Sequence, residues 1–247
     1  MRGRPVRGVG LAVPRGALIS GRGRRSTSRR LFRDLSAVLI ISGLLLLVDA
    51  GVTLLWQEPL TALIGAIKRS EIDKRLLTYR TAPLSAIEQH ALRSIGARDQ
   101  RSAYLARREL HQLGTGDAVG RIVIPALGAS YLVVQGTGEG SLEKGPGHYP
   151  STALPGLGQT VAIAGHRTTY LAPFRHIDAL RPGDRIILRM PYGRFVYTVQ
   201  YHRIVSPTAW WILRNVGYDR LVLSACNPLY SAAQRIVVFA RLDGFGL

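Results

Sequence analysis

Leu221-Val-Leu-Ser-Ala-Cys226-Asn-Pro-Leu-Tyr-Ser-Ala-Ala-Gln-Arg235-Ile-Val-Val-Phe-Ala240 decides how this chain is read. Two apolar, β-like runs flank a connection that contains Asn227, Pro228 and Ser231. Such a pattern reads as two antiparallel neighbours joined by a turn. Cys226, the single cysteine of the protein, then leaves one strand where Arg235 enters the next. A thiol beside a fixed cation suits nucleophilic chemistry, because the thiolate is the reactive form and a nearby positive charge favours it.

That chemistry needs a proton acceptor. His166, in Val161-Ala-Ile-Ala-Gly-His-Arg-Thr-Thr169, follows another apolar run and a glycine, where a ring can project into a cleft. His148 and His176 compete for the role. Taken together, Cys226, His166 and Arg235 have a chemical logic: the thiol attacks, the imidazole transfers protons and the guanidinium holds a developing oxyanion. The plain alternative for Cys226 is a core cysteine on a buried strand. Against it stand the strand-end position and the following Asn-Pro. Scattered histidines and one cysteine give none of the usual zinc spacings, so no metal is expected. No phosphate-cradling glycine loop is present, and no cofactor is expected.

Ala164-Gly-His-Arg-Thr168, followed downstream by Leu223-Ser-Ala-Cys226 and an arginine nine residues later, resembles the sortase family. Gly147-His-Tyr-Pro150, Ala172-Pro-Phe-Arg175 and Cys226-Asn-Pro-Leu-Tyr-Ser231 are similar to its actinobacterial class E branch. The resemblance covers about the last 130 residues of the sequence. It departs at Ala225, where the family usually carries a hydroxyl just before the nucleophile. The resemblance implies a closed β-barrel of about eight strands with short helices at its rim. It also implies a cysteine transpeptidase that cleaves an LAxTG- or LPxTG-type signal between Thr and Gly. The partners so implied are exported proteins bearing that signal and a peptidoglycan-precursor amine. Catalysis would fall to His166, Cys226 and Arg235. Tyr149, Thr168, Asn227 and Tyr230 flank these positions as candidate substrate contacts, and Tyr149 is the candidate selector of alanine over proline in the signal. A protease using water as acceptor, or a non-catalytic binding module, are the alternatives.

At 247 residues the chain has enough sequence for one or two domains with a sizeable core. The net charge of +18 is unevenly spread: ten arginines and one aspartate lie in residues 1–34. Half the excess is therefore a Gly- and Ser-rich tail, read as disordered and cytoplasmic, and nucleic-acid binding is not expected of the folded part. Residues 35–56 are almost wholly apolar, and 22 residues at about 1.5 Å each cross a hydrocarbon core of about 30 Å. The arginine flank predicts an inside N-terminus and an extracytoplasmic remainder, held by a single membrane anchor. A cleaved signal peptide is the alternative.

Residues 57–116 read as helical. Leu60, Leu63, Ile64 and Ile67 share a helical face, Pro83 interrupts, and Ser85-Ala-Ile-Glu88 fits a capping box. A second helix is expected from there to about Gly114, serving as a stalk or as a packed helical hairpin. From 117 to 247 seven short β-like runs alternate with turn signals. They begin at Arg121, Tyr131, Thr160, Asp184, Arg194, Leu221 and Arg235, and a short helix is expected from Phe174 to Leu180. The reading is a mainly β domain, a closed barrel preceded by a stalk and one transmembrane helix.

Overall fold

The computed structural model describes residues 24–55 and 85–246. The expected face Leu60–Ile67 and the break at Pro83 lie outside them. Helix α1, Arg24–Leu55, carries the apolar segment. Its stretch Arg30–Val52 has a mean hydropathy of 2.3 and is long enough to cross a membrane. From Leu31 to Val52 its leucines, isoleucines and valines are exposed, as suits contact with lipid.

Residues 85–113 form two helices where the sequence predicts one. α2, Ala86–Ser94, opens on the expected capping box: Ser85 Oγ accepts from Glu88 N–H, and the Glu88 carboxylate accepts from Ser85 N–H. Ile95 and Ala97 take extended backbone around Gly96, and α3 restarts at Arg98–Gln112. Glycine disfavours a helix interior, so a break here is the less costly solution. Arg108 of α3 pairs with Glu88 of α2. α3 packs on the barrel: Ala106 is fully buried in its core, and Leu110 and Leu113 pack against it.

Eight strands close the barrel in the order β1-β2-β3-β4-β7-β8-β6-β5. They are β1 Ala118–Ile124, β2 Ala129–Gln135, β3 Gly147–His148, β4 Thr160–Ala164, β5 Arg185–Met190, β6 Gly193–Val205, β7 Arg220–Asn227 and β8 Gln234–Gly246. All seven expected runs form strands, the one opening at Asp184 starting a residue later at Arg185. The eighth, β3, is two residues long and has no alternation to read. It pairs parallel with β2 and antiparallel with β4. Gly147 suits that close approach, since a Cβ there would lie 2.1 Å from Gly136 O. The turn at Arg181–Asp184 forms as expected, with Gly183 at φ 96° and the Asp184 carboxylate accepting from Arg181 N–H. The helix expected over Phe174–Leu180 is only a 3-10 turn at Ile177–Ala179.

β7 is buried on both faces, which explains why it reads as a continuous apolar run. Leu221, Leu223 and Ala225 point into the main core with Ile163, Phe174, Phe195 and Val238. Val222 joins Ala162, Val237, Phe239 and Ile212 in a second cluster outside the barrel wall. That outer cluster anchors the 3-10 turn Trp210–Leu213 in the β6–β7 connection.

Candidate active site

Parallel and antiparallel register together assemble the site. β4 runs parallel to β7, with Ala164 opposite Ser224. Two residues further along each strand direction stand His166 and Cys226. β8 returns antiparallel, with Cys226 opposite Arg235. All three predicted residues line one cavity of about 560 Å³ at this end of the barrel. Its wall is mostly apolar on one side, from Pro207, Ala209, Trp210, Ile212 and Leu213 of the β6–β7 connection, with Leu142 also at the wall.

His166 sits in a packed loop. Gly165 donates its N–H to Ser224 O, and a Cβ at Gly165 would lie 2.4 Å from the Phe174 ring. Phe174, fully buried, in turn donates its N–H to His166 O. His166 is thus carried between strand β4 and a core phenylalanine. Burial pushes the His166 imidazole below its ordinary pKa, and the carboxylates of Glu143 and Glu139 oppose that shift. The ring of Tyr170 lies 5.3 Å from it, and the Tyr170 hydroxyl donates to Glu143. His166 Nε2 is buried without a hydrogen-bond partner. The residue lines the cavity, so this nitrogen is an unsatisfied polar atom at the cavity wall.

Cys226 is a half-buried free thiol on the cavity wall. Arg235 lines the same cavity, while its Nη1 donates to Ala232 O and Gln234 O of its own connection. Of the candidate substrate contacts, Tyr149 lines the cavity, its hydroxyl 3.1 Å from Ser224 Oγ. Thr168, Asn227 and Tyr230 fall outside the lining. Thr168 is half-buried beyond Arg167, and the Asn227 amide bridges Arg167 and Gln234. Tyr230 adopts φ 64° and accepts a hydrogen bond from Arg175.

The rival histidines separate on burial. His148 is 1% exposed, with Nδ1 2.7 Å from Gln135 Oε1 and Nε2 3.0 Å from Ala153 O. Burial takes its pKa down to about 4, so it serves as a neutral strut of the barrel. His176 is exposed and outside the cavity lining. Sequence reading missed Arg167, the tryptophan-bearing wall and the Ser224–Tyr149 pair. Arg167 adjoins the base, but an arginine in a polar stretch reads as solvated; here it is 4% exposed. Among the described residues, no cluster of three metal-ligating side chains is present.

A thiol, an imidazole and a guanidinium thus line one cleft of a closed β-barrel, the residue types that cysteine-nucleophile chemistry employs. The Sortase domain family model matches residues 122–243. Sortase D of Bacillus subtilis (strain 168) is 31% identical over 131 residues, which cover 51% of this chain and 65% of that protein. The solved sortase E of Streptomyces avermitilis superposes with a TM-score of 0.50 at 32% identity, over 54% of this chain and 92% of that one. Sortase E1 of Streptomyces coelicolor, solved with a tripeptide in its active site, gives 0.51 at 26% identity over 53% and 90%. The chain belongs to the sortase family, whose members are cysteine transpeptidases.

Proposed function

We propose that this protein is a membrane-anchored, class E-like sortase that joins exported proteins to a cell-wall amine. The observation that supports this best is the shared cavity of His166, Cys226 and Arg235 in a barrel matched by sortases. The tripeptide in the active site of the Streptomyces coelicolor relative suggests a peptide for this cavity too. Burial favours a neutral His166, which takes the proton of Cys226 as the sulfur attacks the threonine carbonyl of a Thr–Gly bond. Arg235 meets the carbonyl oxygen as it becomes anionic, once its guanidinium leaves the carbonyls of its own connection. The imidazolium then gives its proton to the departing glycine amine, and a thioacyl enzyme remains. An amine of the peptidoglycan precursor enters, loses a proton to His166 and attacks the thioester, which restores the thiol.

The apolar wall of Trp210, Ile212 and Leu213 suits the aliphatic first residue of the signal. Tyr149 is proposed to select alanine or proline at the second position. Asn227, Thr168 and Tyr230 act through the loops around the cavity. Residues 1–34 form the cytoplasmic tail, 35–56 the anchor, 57–116 the extracytoplasmic stalk and 117–247 the catalytic domain. The experiment is to incubate the full chain in detergent with LAxTG and LPxTG peptides and candidate amines, and to read products by mass spectrometry. Cleavage between Thr and Gly with amine-linked product is expected. No cleavage of either peptide overturns the reading. Protease added to intact spheroplasts checks the orientation: the domain after residue 57 should be digested, and protection until lysis overturns the anchored, outward topology.

A further inference from the structure

Arg167 is among the most buried arginines of the barrel, 4% exposed, and its fork reaches two chain segments besides its own loop. Nε and Nη2 both donate to Arg175 O at 3.3 Å, and Nη2 also meets the Asp178 carboxylate at 3.0 Å. Nη1 donates to Cys226 O at 3.4 Å and to Asn227 Oδ1 at 3.1 Å. One residue earlier on the same backbone is His166. The lone acid partner is half-exposed, so the ion pair does not by itself account for desolvating a guanidinium. What the planar fork supplies, and a lysine does not, is simultaneous contact with acceptors on different segments.

His166 Nε2 has no hydrogen-bond partner, so the base and the nucleophile are not tied to each other through that nitrogen. Beside the β4–β7 pairing and the Gly165 N–H to Ser224 O bond, a link nearer the two side chains runs through Arg167: one covalent step to His166 and one hydrogen bond to the carbonyl of Cys226. We infer that Arg167 is a positioning residue that fixes the nucleophile strand end relative to the base, clamping the Cys226–Asn227 end of β7 and the Arg175–Asp178 segment to the His166 loop. The inference rests on the reading of His166 and Cys226 as a working pair. Arg167 does not itself line the cavity, and it meets Cys226 at the backbone carbonyl rather than at the thiol.

Coupling between residues is what such a clamp produces, and a double-mutant cycle measures it. The readout is alkylation of Cys226 by neutral iodoacetamide, which needs no substrate, followed across pH in four proteins: wild type, Arg167→Lys, His166→Ala and the double variant. Peptide kcat and KM are measured on wild type and Arg167→Lys, with a melting curve for each protein. In the wild type, His166→Ala should slow alkylation near neutral pH at least tenfold. In the Arg167→Lys background the same change should slow it less than threefold, because the pair is already uncoupled. Arg167→Lys should lower kcat at least tenfold while KM stays within threefold. Asp178→Asn, which removes only the half-exposed partner, should stay within threefold of wild type in kcat. Additive effects of the two substitutions, or wild-type kcat in Arg167→Lys, overturn the inference. So does a kcat loss that merely follows the unfolded fraction. Should the wild type cleave no sorting peptide while the alkylation cycle still shows coupling, the transpeptidase reading fails and the positioning role stands.

Discussion

The two sides of the cavity are built differently. On the His166 side, strand β4 is followed by Gly165 pressed on Phe174, and buried Arg167 comes directly after His166. On the Arg235 side, the connection from Pro228 to Gln234 is largely exposed, and the arginine's Nη1 is satisfied by carbonyls of that same connection. His166 is therefore held by close packing, which tolerates little displacement. The guanidinium is held by local hydrogen bonds at the surface, which exchange readily with water or substrate. Proton transfer demands a fixed donor–acceptor distance, whereas oxyanion binding is completed only when the carbonyl arrives. On the roles proposed for His166 and Arg235, the packed and the exposed half match those two demands.

The largest expected effects test whether both sides belong to one site. Cys226→Ala should abolish peptide turnover and thioacyl capture with little change in melting, since the thiol is only half-buried. Retained turnover would return the cysteine to the bland reading of a packing residue. Arg235→Lys keeps the charge but loses the fork, and loss of one oxyanion donor typically costs about 3–4 kcal/mol, roughly a hundred- to a thousandfold in rate. Melting should hardly move, because the residue sits at the exposed side. A wild-type rate there would remove Arg235 from the chemistry.

Next in size is a pH effect that belongs to the barrel interior. His148 has its folded pKa taken down to about 4 from the ordinary 6.5. Between those values the unfolded chain binds a proton that the folded chain refuses, so stability is full above pH 6.5 and is lost as pH falls toward 4. The total is about 3 kcal/mol. Chemical denaturation at pH 7 and pH 4.5 should show the loss, and His148→Gln should flatten it; an unchanged slope would mean that His148 is not the group responsible.

Gly165→Ala probes the packed side directly. The new methyl must displace the Phe174 ring, so a stability loss of about 1–3 kcal/mol is expected, with reduced turnover even in the folded fraction. Melting and turnover both at wild-type levels would show that the His166 loop is less constrained than its packing implies. The smallest effect is expected from Glu143→Gln. The amide oxygen still accepts from Tyr170, but a charge that raises the His166 pKa is gone, so that pKa falls further. The acidic limb of the kcat profile, where His166 must be neutral to accept the thiol proton, should move to lower pH. A limb moving the other way would sink the assignment of His166 as that group.

Most of the barrel was legible because its strands are apolar runs bounded by turns, and each of the seven runs became a strand. β3 was not, since two residues held by pairing on both sides carry no periodicity. The expected helix from Ser85 to Gly114 shows the complementary failure. Its capping box is a local signal and formed as written, but the break at Gly96 and the docking of Ala106 depend on what lies alongside. Thr168, Asn227 and Tyr230 were placed near the chemistry by adjacency in sequence, while the cavity selects by direction and admits only Tyr149 of the four.

By itself the sequence determined the apolar segment, the β-rich domain, and the residue types and order of a thiol, an imidazole and a guanidinium. These are matters of composition, period and spacing, which act within a few residues. Only the tertiary structure decided which histidine faces the thiol, because burial is a property of the assembled barrel. His148 and His166 each sit near an apolar run, yet one ring is enclosed and paired while the other opens on a cleft. The same holds for Arg167. Whether a charge is solvated or spans three segments depends on chain brought from about 60 residues away, as with Asn227. No local pattern records that.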